Sequence, residues 1–314
     1  MGNVREIKQR IKSVKNTTKI TRTMELIATA KSQVCVKRIK DALPYFHALA
    51  EISAQALKAS GDGAGGAHPL LEQREVKKVA ILVVVANRGL CGGYNGNCLR
   101  MARDHRAALL AEGKEVLLFP SGKKALSWLR FAKIPYEGPG YTQFEDRPPY
   151  AEVEAVADHL IKLFLTGQVD RVDIVYTHYI SAGRQVPTIE TMLPISPPTR
   201  EGEGAEAEHG ETLRQEKAKV EAKAALEKPV DFIIEPDPAS ILDTLFPLQA
   251  KLHLFRVYLE AATSEQIARR IAMKNATESA TEVGQALKML YNRVRQSQIT
   301  NEILEVLGGA EALK

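Results

Sequence analysis

The chain has 314 residues, 45% of them hydrophobic and 26% charged, which is enough apolar material for a real core and argues against global disorder. The longest unbroken apolar run, Val79 to Ala86, falls far short of the ~20 residues that a membrane-spanning helix needs. The N-terminus is charged from Arg5 onward, with no apolar stretch for a secretory signal and with Glu6 spoiling a myristoylation pattern after Gly2, so residence in the cytosol is the expectation.

The net charge of +5 is uneven. Residues 1–40 hold eleven Lys or Arg and two Glu, hence +9, which leaves −4 for the remainder. Such an end suits nucleic-acid phosphates or an acidic protein partner, and charge alone does not choose. Cys35, Cys91 and Cys98 are odd in number and in no metal-type pairing, and the seven histidines never come within helical reach of one another in sequence. Reduced, partly buried thiols are expected, with no metal site and no disulfide.

From Val4 to about Ser60 there is almost no Gly or Pro, and Val4, Ile7, Ile11 and Val14 follow the alternating three and four spacing of a coiled-coil seam. The apolar stripe is then expected to drift to Ile20, Met24, Ile27 and Val34, with Ala28 and Ala30 small enough for close approach, and Pro44 should bend or interrupt the helix. Residues 61–68, rich in Gly and Ala, read as a link. A β-branched run at 76–86 reads as a strand buried on both faces. Further strands are expected at Glu115 to Phe119, Val172 to Thr177, Val186 to Ile195 and Asp231 to Glu235, with helices near 97–112, 121–131 and 150–166. That alternation predicts a mostly parallel, Rossmann-like sheet in a domain spanning 76–235.

Residues 200–228 carry eight Glu, six Lys or Arg and no aromatic residue. They read as a charged, exposed insertion that cannot bury a core. After Pro238 the last segment, 238–314, is predicted to form one long helix, interrupted in composition past Pro247 only by Gly284 before Gly308. Ile267, Ile271, Val283, Leu287, Leu290, Val294, Ile303 and Leu307 supply its expected apolar stripe, with Arg269, Glu278, Lys288, Arg293 and Arg295 on the polar face. Its natural partner is the helix at 1–60, and because the central domain returns the chain the pairing should be antiparallel. The fold class is therefore α/β: a long antiparallel coiled coil of N- and C-terminal helices plus a central Rossmann-like domain.

Asn87 to Gly96 follows a strand and precedes a helix, where a phosphate would sit in a Rossmann unit, but glycines at 89, 92, 93 and 96 fit neither G-x-G-x-x-G nor a loop ending in Gly-Lys-Ser/Thr. A tight strand-to-helix turn is the better reading, and the same holds for Pro120 to Lys124. No nucleophile elbow or catalytic order of His, Ser and Asp is present. The basic helix has no interleaved aromatics before Tyr45 and no clean leucine heptad, which argues against nucleic-acid binding. Two readings of different class remain: a non-catalytic shaft, and a Rossmann-type nucleotide-binding enzyme with coiled-coil oligomerisation arms.

The run IKSVKNTTKITRTMELIATAK at 11–31, NRGLCGGYN at 87–95, EPDP at 235–238, and SEQIARRIAMKNAT and YNRVRQSQITNEILEVLGGA in the last helix together resemble the gamma-subunit family of F-type ATP synthases. The match runs in the same order along both ends and much of the middle. The resemblance implies a non-catalytic rotor shaft, without cofactor or metal. It turns inside a ring of alpha and beta subunits, together with an epsilon subunit and a membrane c-ring driven by protons, and lies peripherally on the cytoplasmic face of a bacterial plasma membrane. By motif match, Met24 takes the position near an acidic loop of the beta subunits. Arg269, Arg295, Gln296, Thr300 and Glu302 take positions implicated in ring contact and coupling; on the residues alone they are a solvated helix face. Phe232 and Glu235 match the foot on the membrane ring, where a Tyr is common in place of Phe232. Chloroplast-type relatives carry a regulatory insertion near 200–228 with a redox-active cysteine pair. Residues 200–228 contain no cysteine, so no thiol switch is expected, and a steric brake is the open alternative.

Overall fold

The computed structural model describes residues 4–59, 68–195 and 238–312. The fifth expected strand, the charged insertion at 200–228, and the foot residues Phe232 and Glu235 lie outside them. Two compact units are distinguished, Met1–Ala30 with Arg269–Lys314, and Lys31–Ala268.

Two helices dominate the secondary structure: α1, Val4–Ala59, and α5, Pro238–Ala312, of 56 and 75 residues. Pro44 does not end α1. It stands on an exposed position, so its ring deprives the helix of one ladder bond, while Ile39, Leu49, Ser53 and Ala56 on either side are buried and hold the flanking turns. The second helix begins at Pro238, nine residues before Pro247, and continues through it. A proline at the first helical position costs nothing because its missing N–H would have had no intrahelical partner. Pro247 is carried because Phe246 and Ala250 beside it are anchored in the core.

In the second unit a four-stranded sheet has the order β2-β1-β3-β4, with β1 at Lys78–Val84, β2 at Glu115–Ser121, β3 at Arg171–Ser181 and β4 at Arg184–Leu193. β1 pairs parallel with β2, Lys78 against Glu115, and parallel with β3, Ala80 against Val172; β3 and β4 form an antiparallel hairpin. β1 is buried on both faces because helices cover both. Val79, Ile81 and Val83 pack with Cys98, Leu99 and Ala102 of α2 (Tyr94–Ala111) and with Ala125 and Leu129 of α3 (Lys123–Phe131). Ala80, Leu82 and Val84 face α4 (Tyr150–Leu165), through residues such as Val153, Leu160 and Phe164, and Phe246, Leu254 and Val257 of α5. An alternation of that kind across a strand, with both alternate sets apolar, is what the β-branched run at 79–84 encodes. Within this unit α5 is buried continuously from Val257 to Ser264, the mark of a helix surrounded by protein rather than lying on a surface.

The first unit is the paired part of the two long helices. Thr277 Oγ1 donates to Thr21 Oγ1 at 2.8 Å, and Gly284 lies where an added Cβ would be 3.6 Å from Val14 Cγ1. Both pairs of numbers total 298, so the helices run antiparallel in one register. The same register sets Ile11 against Leu287, Ile7 against Tyr291 and Val4 against Val294, and each of these is buried or half-buried. Buried and half-buried positions on α1 then repeat every seven residues without drift, through Thr18, Thr21, Glu25, Ala28, Ser32 and Cys35, as a left-handed supercoil requires.

Candidate functional site

The expected drift of the apolar stripe is corrected by this seam. Ile20, Ile27 and Val34, themselves seven residues apart, face outward with Ile20 60% exposed, and the seam beside them is built from Thr18, Thr21 and Ala28. On α5, Ile267 is buried and Leu287 and Val294 are in the seam, whereas Ile271, Val283, Leu290, Ile303 and Leu307 are exposed. Small residues win the seam because they let the backbones approach closely, and Thr hydroxyls there are satisfied locally: Thr18 Oγ1 donates to Val14 O and Thr21 Oγ1 to Thr18 O. Past Val294 burial stops, and every side chain from Arg295 to Leu307 is exposed. A helix pair normally hides large aliphatics and shows polar ones; this pair also carries large aliphatics on its outside.

Four of the predicted contact residues, Arg295, Gln296, Thr300 and Glu302, stand together on that exposed stretch, where Thr300 Oγ1 donates to Gln296 O at 3.0 Å and Glu302 accepts from Gln298 at 3.1 Å. Met24 and Arg269 are half-buried and lie towards the other end of the same unit. The six are thus on two helices of one unit but do not form a single cluster.

In the second unit the crevice at the carboxyl ends of β1 and β2, where an open α/β sheet would take a ligand, is closed by the chain itself. Asn87 is the hub of the turn: its Nδ2 donates to Thr142 O and Phe144 O, and its Oδ1 accepts from the Lys123 backbone N–H. The Lys124 N–H goes to Ala86 O and that of Ala125 to Gly122 O, so the first-turn amides of α3 point to the protein's own acceptors. Gly122, at φ +101°, lets β2 turn against the end of β1; a Cβ there would stand 2.1 Å from Val85 O. Helix α5 fills the remaining space. Tyr94 donates its hydroxyl hydrogen to Ala261 O at 3.1 Å, Tyr258 and Ser121 share a hydrogen bond of 2.9 Å, and the Tyr258 ring lies 4.3 Å from that of Phe144. Leu90 sits at φ +64° on the exposed tip of the loop. The glycines of NRGLCGGYN therefore serve a tight turn and close packing beneath a helix, and the nucleotide-binding reading finds its crevice occupied. The three cysteines are buried and none forms a disulfide; burial pushes Cys98 up to about 12, and burial, with Asp146 beside it, pushes Cys35 up to about 11.

One polar constellation gave no sequence signal. Tyr176 and His178 of β3, Glu190 of β4, and His253, Arg256 and Glu260 of α5 meet beneath the hairpin. Tyr176 donates to Glu190 at 2.6 Å, His253 and Arg256 approach the other Glu190 oxygen at 2.8 and 2.9 Å, and His178 Nδ1 lies 2.5 Å from Glu260. Burial opposes the charge on Glu190, but His253 and Arg256 outweigh it and hold the carboxyl at about 2. Burial likewise opposes a charged His178, and the Glu260 carboxylate overcomes it and raises the imidazole above its ordinary value. The strand residues lie 63 residues or more from the helix residues in sequence, and each is an ordinary choice for its strand or helix, so only the tertiary fold reveals them. Among the described residues no group of three or more His, Cys, Asp or Glu is arranged to hold a metal ion, and no helix is long and apolar enough to cross a membrane.

Among the described residues, then, the chain combines helix pairing through a small-residue seam, an outward apolar surface and an α/β domain whose sheet-end crevice is filled by its own helix. Comparison with known proteins gives the family. The ATP synthase family model matches residues 3–313. Curated ATP synthase gamma chains from Rhodopirellula baltica and from a Cyanothece species are each 41% identical over the full length of both chains, and one from Leptospira biflexa is 39% identical, also at full length. Among solved structures, chains of the Euglena gracilis mitochondrial ATP synthase share the fold. One, from its rotor, has a TM-score of 0.60 at 20% identity, covering 94% of this chain and 98% of that one; another, from an OSCP/F1/c-ring structure, has a TM-score of 0.65 at 21% identity, covering 99% and 94%. The chain belongs to the ATP synthase gamma-chain family, whose members are non-catalytic subunits of a larger complex.

Proposed function

We propose that the chain is the central rotor shaft of a proton-translocating F-type ATP synthase, transmitting rotation of a membrane c-ring to the catalytic alpha and beta subunits, with an epsilon subunit as a further partner. The observation that carries this reading is the surface of the helix pair. Ile20, Ile27, Val283, Leu290 and the side chains from Arg295 to Leu307 are exposed on a unit that has its own seam. Exposed aliphatics repeated along a helix pair mark a surface for contact with other proteins. The basic excess of residues 1–40 favours acidic groups on the enclosing ring and steers assembly.

In this reading 1–60 and 238–314 are the shaft, 76–235 is the domain that seats it, and Phe232 and Glu235 stand at the foot on the membrane ring. Met24, Arg269, Arg295, Gln296, Thr300 and Glu302 contact the ring and couple it. The chain would lie on the cytoplasmic face of a bacterial plasma membrane, held there by the complex. The test is affinity purification in mild detergent. An accompanying ATPase that drives proton transport supports the proposal, whereas a chain that comes away alone and binds ATP, ADP or NAD stoichiometrically by calorimetry rejects it. Arg295→Ala with Gln296→Ala, both at exposed positions, should leave folding intact and lower protons pumped per ATP; normal pumping would reject their assignment.

A further inference from the structure

The long loop between α3 and α4 reaches Asp146, and one carboxylate there is held by both long helices. Asp146 Oδ2 accepts from Lys31 Nζ of α1, and Asp146 Oδ1 accepts from Gln266 Nε2 of α5. Its backbone carbonyl also receives Cys35 Sγ of α1, at 3.6 Å. The loop is not a passive strap. Asn87 Nδ2 holds it through Thr142 O at 2.9 Å and Phe144 O at 2.7 Å, Arg88 reaches Glu145 at 3.1 Å, and the Phe144 ring packs on Tyr258. The bonding runs from the carboxyl end of β1 through Asn87 to the loop, and from the loop to one point on each helix.

From this arrangement we infer that Asp146 is a positioning residue that locks the rotational phase of α1 and α5 to the α/β domain. The inference rests on the rotor reading and names the residue through which twist is kept in step. Hydrophobic packing is non-directional, so apolar faces tolerate small rotations of a helix about its own axis. A charge-assisted hydrogen bond is directional and short, and fails when the donor swings away. Gln266 is 2% exposed, and its amide nitrogen is fixed on Asp146 while its Oε1 has no partner among the described residues. The amide is thus oriented by Asp146 and by no competing bond. Lys31 is partly in water, so its bond would count for little alone. Its importance comes from sharing one carboxylate with the opposite helix.

The test uses the assembled complex in membrane vesicles, comparing ATP hydrolysis with ATP-driven proton uptake. Asp146→Ala should hydrolyse ATP while protons moved per ATP fall by about twofold or more, the scale on which substitutions along a coupling route act. The charge-reversed pair Lys31→Asp with Asp146→Lys should restore coupling, because the ion pair re-forms and Gln266 can turn its free Oε1 towards the new ammonium group. Wild-type coupling in Asp146→Ala overturns the inference. So does a reversed pair that assembles and melts like the wild type yet stays uncoupled. If Asp146→Ala does not assemble, the reversed pair decides: recovery of assembly and coupling together supports the latch, and assembly without coupling overturns it. A wild-type chain that supports no ATP-driven uptake with its partner subunits would instead remove the rotor reading, a result distinct from every variant outcome.

Discussion

Glu190 shows how much can hang on one side chain. It takes hydrogen bonds from a strand tyrosine and from a histidine and an arginine of α5, so Glu190→Gln leaves Arg256 and His253 without their carboxylate and should cost about 3 kcal/mol in denaturant unfolding. With its carboxyl at about 2 in the folded chain against an ordinary 4.5, its contribution is complete above pH 4.5 and is lost as pH falls towards 2. Stability of the wild type should drop through that window and that of Glu190→Gln should drop less. His178 acts on the other side. Its folded value is raised above 6.5, so its contribution is complete below pH 6.5 and fades as pH rises through the elevated value; His178→Gln should flatten the neutral-to-alkaline limb. Gly122 is critical for steric reasons. Alanine there meets Val85 O at 2.1 Å in a left-handed backbone, and a loss of about 3 kcal/mol or more is expected in the urea midpoint.

At the scale of the elements, the seam makes opposite predictions for two substitutions at one site. A Cβ at Gly284 would stand at ordinary contact distance, 3.6 Å, from Val14, so Gly284→Ala should stabilise the helix pair by about 1 kcal/mol through helix propensity. Gly284→Leu should splay the pair, lowering the melting temperature, because the extra atoms enter space that Val14 already occupies. The register itself was legible in part. Val4, Ile7, Ile11 and Val14 announce it, and carrying the seven-residue repeat onward through Thr18, Thr21 and Ala28 would have predicted the rest. Following the largest aliphatics to Ile20 and Ile27 leaves the seam, because these side chains answer to a surface outside the pair. The β elements were legible because each is a short apolar run between turn residues. Pro44 misled because tertiary burial beside it outweighs a local break. The Glu190 constellation and Asp146 were illegible, since their partners on the long helices lie 63 to 120 residues away along the chain.

For the molecule as a whole, local stability should follow burial. Amide exchange should be slowest in β1 and β3, which are paired on both sides and buried, intermediate in the seam from Val4 to Ala28, and fastest from Arg295 to Leu307. Uniform slow exchange along all of α5 in the isolated chain would contradict this ordering, and slowing confined to its last turns on adding alpha and beta subunits would agree with it. The crevice closed by Tyr258 and Ala261 has a further consequence. A small molecule in that place would come and go with its concentration in the cell, and the seating of the helix would vary with it. A helix joined to its own socket by peptide bonds is present at a fixed and very high local concentration, so the grip is indifferent to the cell's supply of ATP or ADP. On the rotor reading, the seating of the helix would then answer to force and not to the metabolites that neighbouring subunits exchange.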